Sequence, residues 1–244
     1  MAFWTHRGTI SGGDAIRLSR GRLSRPGRNR PVIALGGLNS TADTWPDGQS
    51  YVGDPVFGRY LPSRYIYYGR GLAVASVATD TLLGNETMRD RIDAAIDDCR
   101  ASGFFPPTAR VSIIGGSAGA ISGLQYAIRN PEKIRRMVLG ICPVSTQALY
   151  DDNWGGIIRG YITTSYGGRP SDEEDPLARA EEYAQFAGRV RLYNSTNDPI
   201  SNYTLAEEFC ERSGLELISM GAVGHDFDDP YSEAAVSGYL QGEG

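Results

Sequence analysis

A serine between closely spaced glycines is the feature of this sequence that most constrains its fold. The residues Gly-Gly-Ser-Ala-Gly at 115–119 directly follow the apolar run 111–114, and residues at helical spacing follow them. A sharp turn from strand to helix crowds the positions two before and two after its centre, and Gly115 and Gly119 remove that bulk. The pattern predicts a nucleophilic serine, Ser117, at the edge of a sheet. A glycine-rich turn with an incidental serine is the alternative.

Strand and helix signals alternate along the rest of the chain. Short apolar runs that predict strands occupy residues 31–35, 71–78, 111–114, 137–142, 189–193 and 215–219. Apolar residues at helical spacing separate several of them, most clearly at 88–99, where Asn85 is a plausible N-cap. This alternation predicts an α/β fold, with a mostly parallel sheet flanked by helices, in a single domain over residues 1–244.

Residues 144–188 interrupt the alternation, because they contain no strand signal. Trp154, Ile158 and Tyr161 recur at the spacing of an amphipathic helix, and Ser171 with Glu174 predicts a capping box that opens a second helix. We therefore predict a helical cap inserted over one end of the sheet. The three apolar residues would either line a substrate pocket or only pack the cap onto the body.

The serine needs a base, and the sequence offers few candidates. An alkoxide is inaccessible near neutral pH without a neighbouring proton acceptor. The chain has two histidines, His6 and His225. His6 lies at the N-terminus, beyond any predicted strand, whereas His225 follows the last predicted strand. We therefore predict that His225 is the general base, the alternative being a loop histidine without a catalytic role.

An acidic residue should orient the imidazole, and two oxyanion donors should complete the site. Asp198 follows the run 189–193, which agrees with the order serine, acid, histidine. The alternatives are Asp151 and Asp152, at the start of the predicted cap. The developing oxyanion needs two amides, for which the backbone N–H groups of Ala118 and Leu38 are best placed.

Several segments together resemble the α/β-hydrolase superfamily. They are Ala-Leu-Gly-Gly-Leu-Asn-Ser-Thr-Ala-Asp-Thr-Trp at 34–45, Asn-Pro-Glu-Lys-Ile-Arg-Arg-Met-Val-Leu at 130–139, Asn-Asp-Pro-Ile at 197–200 and Gly-His-Asp at 224–226. The resemblance covers roughly residues 31–240, and its motifs include the Gly-x-Ser-x-Gly nucleophile elbow.

The resemblance implies an eight-stranded, mostly parallel sheet with a cap inserted after the sixth strand. It also implies a triad of Ser117, Asp198 and His225, with oxyanion amides from Leu38 and Ala118. The sequence departs from the pattern at residues 36–37, which are Gly-Gly where many members have His-Gly. The stretch 49–68 is longer than the usual connection.

These residues predict a serine hydrolase of the carboxylesterase or lipase type. The expected substrate is a small-molecule ester with an apolar part, and neither a metal nor an organic cofactor is expected. Other acyl-transfer chemistry on the same triad remains open: an acyltransferase, a peptidase or a carbon–carbon bond hydrolase. A non-catalytic scaffold within a larger assembly such as a virion is the second alternative.

Composition and targeting signals limit which binding partners and which cellular location are expected for the protein. The net charge of −5 argues against nucleic acid, because phosphate binding needs a positive surface. No window reaches the length of a membrane span and no signal peptide is evident, which predicts a cytoplasmic protein. Non-classical export or incorporation into a larger particle stays open, and nothing in the sequence fixes the oligomeric state. The three cysteines fit no zinc or disulfide spacing and are expected to be buried.

Overall fold

The computed structural model describes the chain in six stretches. These are residues 4–9, 15–20, 30–38, 72–103, 105–225 and 233–242. The long stretch 49–68 lies outside them, as does the greater part of the segment 34–45.

The described part of the chain contains a sheet of eight strands. They are β1 (Trp4–Thr9), β2 (Ala15–Arg20), β3 (Arg30–Leu35), β4 (Leu72–Val77), β5 (Val111–Gly116), β6 (Ile134–Gly140), β7 (Val190–Asn194) and β8 (Glu216–Ser219). Their order in the sheet is β1-β2-β4-β3-β5-β6-β7-β8, and the six strands from β3 to β8 run parallel. The predicted mostly parallel sheet flanked by helices is confirmed.

The parallel strands β3 to β7 are mostly buried, because both faces of the sheet are covered there. Successive side chains of a strand point to opposite faces. In β3, Val32 and Ala34 belong to one buried cluster, with Val236 and Tyr239 near the end of the chain. The intervening Ile33 and Leu35 belong to a larger cluster on the other face. The core therefore lies in two layers, one on each side of the sheet.

The sequence does not predict the two strands at one edge of the sheet. β1 pairs antiparallel with β2, and β2 pairs antiparallel with β4. His6, which was expected to lie beyond any strand, is part of β1. Three strands separate β1 from β5, so His6 lies four strand spacings, roughly 19 Å, from the strand that leads to Ser117.

Six α-helices occur in the described ranges. They are α1 (Glu86–Ala101), α2 (Ala118–Arg129), α3 (Thr146–Asp152), α4 (Ile158–Tyr166), α5 (Tyr203–Ser213) and α6 (Glu233–Gln241). The side chain of Asn85 accepts a hydrogen bond from the Met88 amide at 3.0 Å, so the predicted N-cap of α1 is confirmed. The buried face of α1 is the predicted one, namely Met88, Ile92, Ala95, Ile96 and Cys99.

The segment 144–188 differs in detail from its prediction. Besides α3 and α4 it contains three 3-10 segments, Trp154–Gly156, Asp172–Glu174 and Ala180–Phe186. The predicted capping box is wrong, because the Ser171 side chain makes no capping hydrogen bond. Asp175 is extended, at φ −113° and ψ 109°, since the following proline disfavours the helical conformation for the residue before it.

Glycines also delay the start of α4. The spacing predicts helix from Trp154 onward, but α4 begins at Ile158. Gly155 and Gly156 have φ values of 62° and 74°, in the left-handed region, which ends a right-handed helix. A short 3-10 turn, Trp154–Gly156, occupies the predicted first turn instead.

All three cysteines are free and buried, as expected. Cys99 lies in α1, Cys142 follows β6, and Cys210 lies in α5. Burial raises the pKa of each thiol, to about 12 for Cys210. Separately, no helix among the described residues is both long and apolar enough to cross a membrane.

Candidate active site

The predicted site residues meet at one edge of the sheet. Ser117 directly follows β5, Asp198 lies four residues after β7, and His225 lies six residues after β8. The carboxyl ends of parallel strands lie at the same edge, which is where open α/β sheets place their sites. Residues separated by up to 108 positions in the sequence therefore come into contact.

Ser117 occupies a strained turn between β5 and α2. Its φ is 53° and its ψ is −119°, a positive φ that is uncommon for a residue with a side chain. The Ser117 amide donates to the Gly140 carbonyl at 3.0 Å, at the end of β6, and the Ser117 carbonyl accepts from Ala120 in the first turn of α2. These bonds hold a conformation that costs about 1–3 kcal/mol.

The two glycines of the motif allow the turn to close. A Cβ placed on Gly115 would lie 2.7 Å from the carbonyl oxygen of Gly119. A Cβ on Gly119 would overlap the backbone carbonyls of Leu35 and Gly36. Gly119 therefore lets the start of α2 pack directly against the end of β3.

Gly119→Ala is expected to lower the free energy of unfolding by about 3–5 kcal/mol, because rigid backbone surrounds the added methyl group. Urea denaturation of both proteins measures the change. Gly160→Ala is the matched control, since Gly160 lies inside α4 and a Cβ there meets nothing within 4 Å. That variant should gain about 0.5–1 kcal/mol from helix propensity. Equal stabilities for Gly119→Ala and the wild type would contradict the close approach of α2 to β3.

Ser117, His225 and Asp198 form a continuous chain of hydrogen bonds. His225 Nδ1 lies 2.7 Å from Asp198 Oδ2 and 2.9 Å from Oδ1. Because a carboxylate only accepts, Nδ1–H is the donor to Asp198. This tautomer leaves Nε2 as an acceptor, and it lies 2.9 Å from Ser117 Oγ. The Ser117 hydroxyl therefore donates to His225, which is the arrangement needed to remove its proton.

Asp198 is oriented from its other side by backbone amides. Its Oδ1 accepts from the Ile200 amide at 2.8 Å and from the Ser201 amide at 3.0 Å. Ser117, Asp198 and His225 are 4%, 7% and 7% exposed, respectively. The chain of hydrogen bonds is thus shielded from water and fixed at its acidic end.

Two polar residues that sequence reasoning missed hold the loops of Asp198 and His225 together. Asn197 Oδ1 accepts from the Gly224 amide at 2.7 Å, next to His225. Ser195 Oγ accepts from the Val223 amide at 3.0 Å and also donates to Asn197 Oδ1 at 2.8 Å. The run Ser-Thr-Asn-Asp after a buried strand was the available signal, because Ser and Asn side chains commonly bond to nearby backbone.

The alternative acids lie elsewhere. Asp151 is exposed at the end of α3, and Arg169 donates to both of its carboxylate oxygens, at 2.8–3.2 Å. This guanidinium lowers the pKa of Asp151. Asp152 is exposed beside it. The aspartates that follow His225 lie outside the described residues.

An apolar cavity opens beside Ser117. The described residues that line it are Leu38, Leu83, Ser117, Ala118, Ile121, Pro143, Leu149, Ile158 and Ile200. Of the three predicted pocket residues, Ile158 is in this set. Trp154 and Tyr161 are not, and they pack against the apolar cluster that contains Leu38 and Ile158.

Leu38 and Ala118, the predicted oxyanion residues, both line this cavity together with Ser117. Ala118 is the first residue of α2, so its amide has no acceptor within the helix. The start of α2 also presents the positive end of the helix dipole beside Ser117. The structure thus places both residues next to the serine.

Known proteins resemble this chain in structure rather than in sequence. No protein-family model matches it, and no curated protein matches it. The chain is similar to FphF, a fluorophosphonate-binding serine hydrolase of Staphylococcus aureus, with 16% identity and a TM-score of 0.73 over 98% of this chain and 97% of that chain.

Two further solved structures extend this similarity. The chain is similar to the esterase Pf2001 of Pyrococcus furiosus, with 14% identity and a TM-score of 0.60 over 98% of this chain and 88% of that chain. It is also similar to an alpha/beta hydrolase of Novosphingobium aromaticivorans, with 17% identity and a TM-score of 0.56 over 99% of each chain. The chain therefore has the α/β-hydrolase fold.

Proposed function

We propose that the protein is a serine hydrolase that cleaves a carboxylic ester through an acyl-enzyme on Ser117. The observation that carries the proposal is the hydrogen-bonded chain from Ser117 through His225 to Asp198, at the wall of an apolar cavity. Structural similarity to serine hydrolases and esterases supports it. Since fold alone does not fix chemistry, the geometry of the site bears the argument.

The first step forms the acyl-enzyme. Ser117 Oγ attacks the ester carbonyl carbon while His225 Nε2 takes the hydroxyl proton, and Asp198 stabilises the resulting imidazolium. The carbonyl oxygen becomes an oxyanion, to which the amides of Ala118 and Leu38 donate. When the tetrahedral intermediate collapses, the bond to the alcohol oxygen breaks and His225 returns the proton to the leaving alcohol.

The second step releases the acid. Water donates a proton to His225 Nε2 as its oxygen attacks the acyl carbon, and the same two amides stabilise the second oxyanion. The Ser117 oxygen then leaves and recovers its proton from His225. Neither a metal nor an organic cofactor is required in this sequence of steps.

The cavity favours an apolar group on the substrate. Apart from Ser117, every described residue that lines it is apolar. Leu149 and Ile158 come from α3 and α4, so the segment 144–188 acts as a cap over the serine in this proposal. Burial of an apolar acyl or alcohol group contributes about 25 cal/mol per Å².

A fluorophosphonate probe is expected to modify the wild-type protein on Ser117, because a serine activated by a base displaces the fluoride. The adduct is located by mass spectrometry of the peptide that contains Ser117. Heat-denatured protein is the matched control, since it retains every serine but lacks the site. Turnover of a p-nitrophenyl ester series should then show an optimum acyl chain length, which measures the size of the acyl site.

Either of two results would contradict this proposal. If the folded protein neither reacts with the probe nor hydrolyses any ester of the series, the non-catalytic scaffold would replace it. If alcohols or amines accept the acyl group faster than water does, the protein is an acyltransferase on the same triad. A product survey with such acceptors separates the two chemistries, and peptide and carbon–carbon substrates complete the series.

A further inference from the structure

A buried threonine holds the loop that carries Leu38. Thr79 follows β4 by two residues, and its side chain has no exposed surface. Its hydroxyl oxygen lies 2.7 Å from the carbonyl oxygen of Gly37 and 3.2 Å from that of Gly36. A hydroxyl group has one proton to donate, and the shorter distance makes the Gly37 carbonyl its main acceptor.

The Gly37 carbonyl belongs to the same peptide group as the Leu38 N–H. A trans peptide group is planar, and its C=O and N–H bonds point to opposite sides. A bond that directs the Gly37 carbonyl toward Thr79 therefore directs the Leu38 N–H away from Thr79. Leu38 lines the cavity together with Ser117 and Ala118, so that direction decides whether the amide can reach an oxyanion there.

The glycine pair makes this restraint necessary. Gly36 and Gly37 have no Cβ, so their backbone dihedrals are less restricted than those of other residues. Rotation of the peptide group between Gly37 and Leu38 would turn the amide out of the site without any side-chain clash at Gly37. A hydrogen bond from a fully buried hydroxyl opposes that rotation.

Thr79 is itself held by a tight turn. Its carbonyl accepts from the Leu82 amide at 3.0 Å. The carbonyl of Leu83, four residues after Thr79, accepts from the hydroxyl of Tyr166, the last residue of α4, at 2.5 Å. These bonds fix the turn to the segment 144–188. They therefore also fix the position of the Thr79 hydroxyl relative to Gly36 and Gly37.

We propose that Thr79 is a positioning residue for ester hydrolysis, which fixes the Gly37–Leu38 peptide so that the Leu38 amide faces the oxyanion. The inference rests on the proposed function, because it assigns Leu38 as an oxyanion donor. Thr79 does not touch the substrate and acts through Leu38 alone. Its effect should therefore appear in the transition state and not in substrate binding.

Thr79→Val is expected to lower kcat by about 10- to 100-fold with KM changed less than about twofold, a smaller loss than the ~10²–10³ for removal of an oxyanion donor itself. Affinity for a trifluoromethyl ketone, which forms a tetrahedral oxyanion on Ser117, should fall by the same factor. Thr79→Ser retains the hydroxyl and should restore most of kcat and of this affinity.

Thr146→Val is the matched control. Thr146 has no exposed surface, and its hydroxyl donates to the Glu174 carbonyl at 2.7 Å, as Thr79 does to Gly37. Both variants remove a buried hydroxyl–carbonyl bond and should lower the melting temperature by similar amounts. Only Thr79→Val should lower kcat and ketone affinity.

Three results would overturn the inference. They are an unchanged kcat in Thr79→Val, an equal loss of kcat in Thr146→Val, and a loss confined to KM. Each of these requires an active wild type, and so would leave the proposed function intact. A wild type that hydrolyses no ester and does not react with the fluorophosphonate would overturn the proposed function, and this inference with it.

Discussion

Replacing Ser117 by alanine is expected to lower kcat/KM toward an ester by about 10⁴- to 10⁶-fold. The reason is that His225 Nε2, 2.9 Å from Ser117 Oγ, would have no hydroxyl to activate. The Ala118 and Leu38 amides would remain, so a residual rate above that of the uncatalysed reaction should persist. Initial rates with the best p-nitrophenyl ester, at high enzyme concentration, measure the loss.

Ser112→Ala is the matched control for that variant. Ser112 lies in β5, five residues before Ser117, is fully buried, and its hydroxyl has no hydrogen-bond partner within the described residues. Its removal should leave both activity and stability close to those of the wild type. If Ser117→Ala kept more than about a tenth of the wild-type rate, another group would have to be the nucleophile.

Asp198→Asn is expected to lower kcat by about 10³- to 10⁴-fold without unfolding the protein. The Ile200 and Ser201 amides donate to Oδ1, so asparagine should keep its oxygen at that position. Its NH₂ group would then occupy the place of Oδ2, 2.7 Å from His225 Nδ1. A donor there favours the tautomer with the proton on Nε2, which cannot accept the proton of Ser117.

Asp151→Asn tests the alternative acid in the same way. Asp151 is exposed and its ion pair with Arg169 is screened by solvent, so this change should alter kcat by less than about twofold and leave stability close to that of the wild type. Circular dichroism of both variants verifies the fold. A large loss of kcat in Asp151→Asn, together with normal activity in Asp198→Asn, would reverse the assignment of the acid.

The sequence was sufficient for most of the sheet, because five of its six parallel strands, β3 to β7, are mostly buried. Each of the six strands from β3 to β8 overlaps one of the predicted runs, although β6 begins three residues earlier than predicted. Short, mostly apolar runs are typical of this architecture. Helix α1 was equally clear, since its buried residues recur at helical spacing. These features depend on local periodicity, which a single sequence contains in full.

The contacts around Ser117 were predictable for a different reason. A strand-to-helix serine motif has one usual geometry, and only two histidines were available. Chain order then favoured Asp198 over Asp151, and the structure places Asp198 against His225. The catalytic roles of these residues stay predictions that the variants above test.

The parts that could not be predicted depend on contacts between distant segments. The hairpin of β1 and β2 is held in the sheet by the pairing of β2 with β4. Its residues do not alternate clearly in polarity, so the sequence gives no strand signal there. The bond from Thr79 to Gly37 joins residues 42 positions apart. Ser171 has the residue type of a cap, but Pro176 and the extended Asp175 prevent the continuous helix that it would begin.

The buried thiols of Cys99, Cys142 and Cys210 can report on local unfolding of the protein, because they react only when they become exposed. With pKa values raised by burial, these thiols have almost no thiolate at neutral pH, and the native packing keeps reagents away. Alkylation therefore has to wait for local or global exposure. The three sites lie in α1, after β6 and in α5. Different alkylation rates at the three cysteines would indicate local unfolding, whereas equal rates would indicate unfolding of the whole domain.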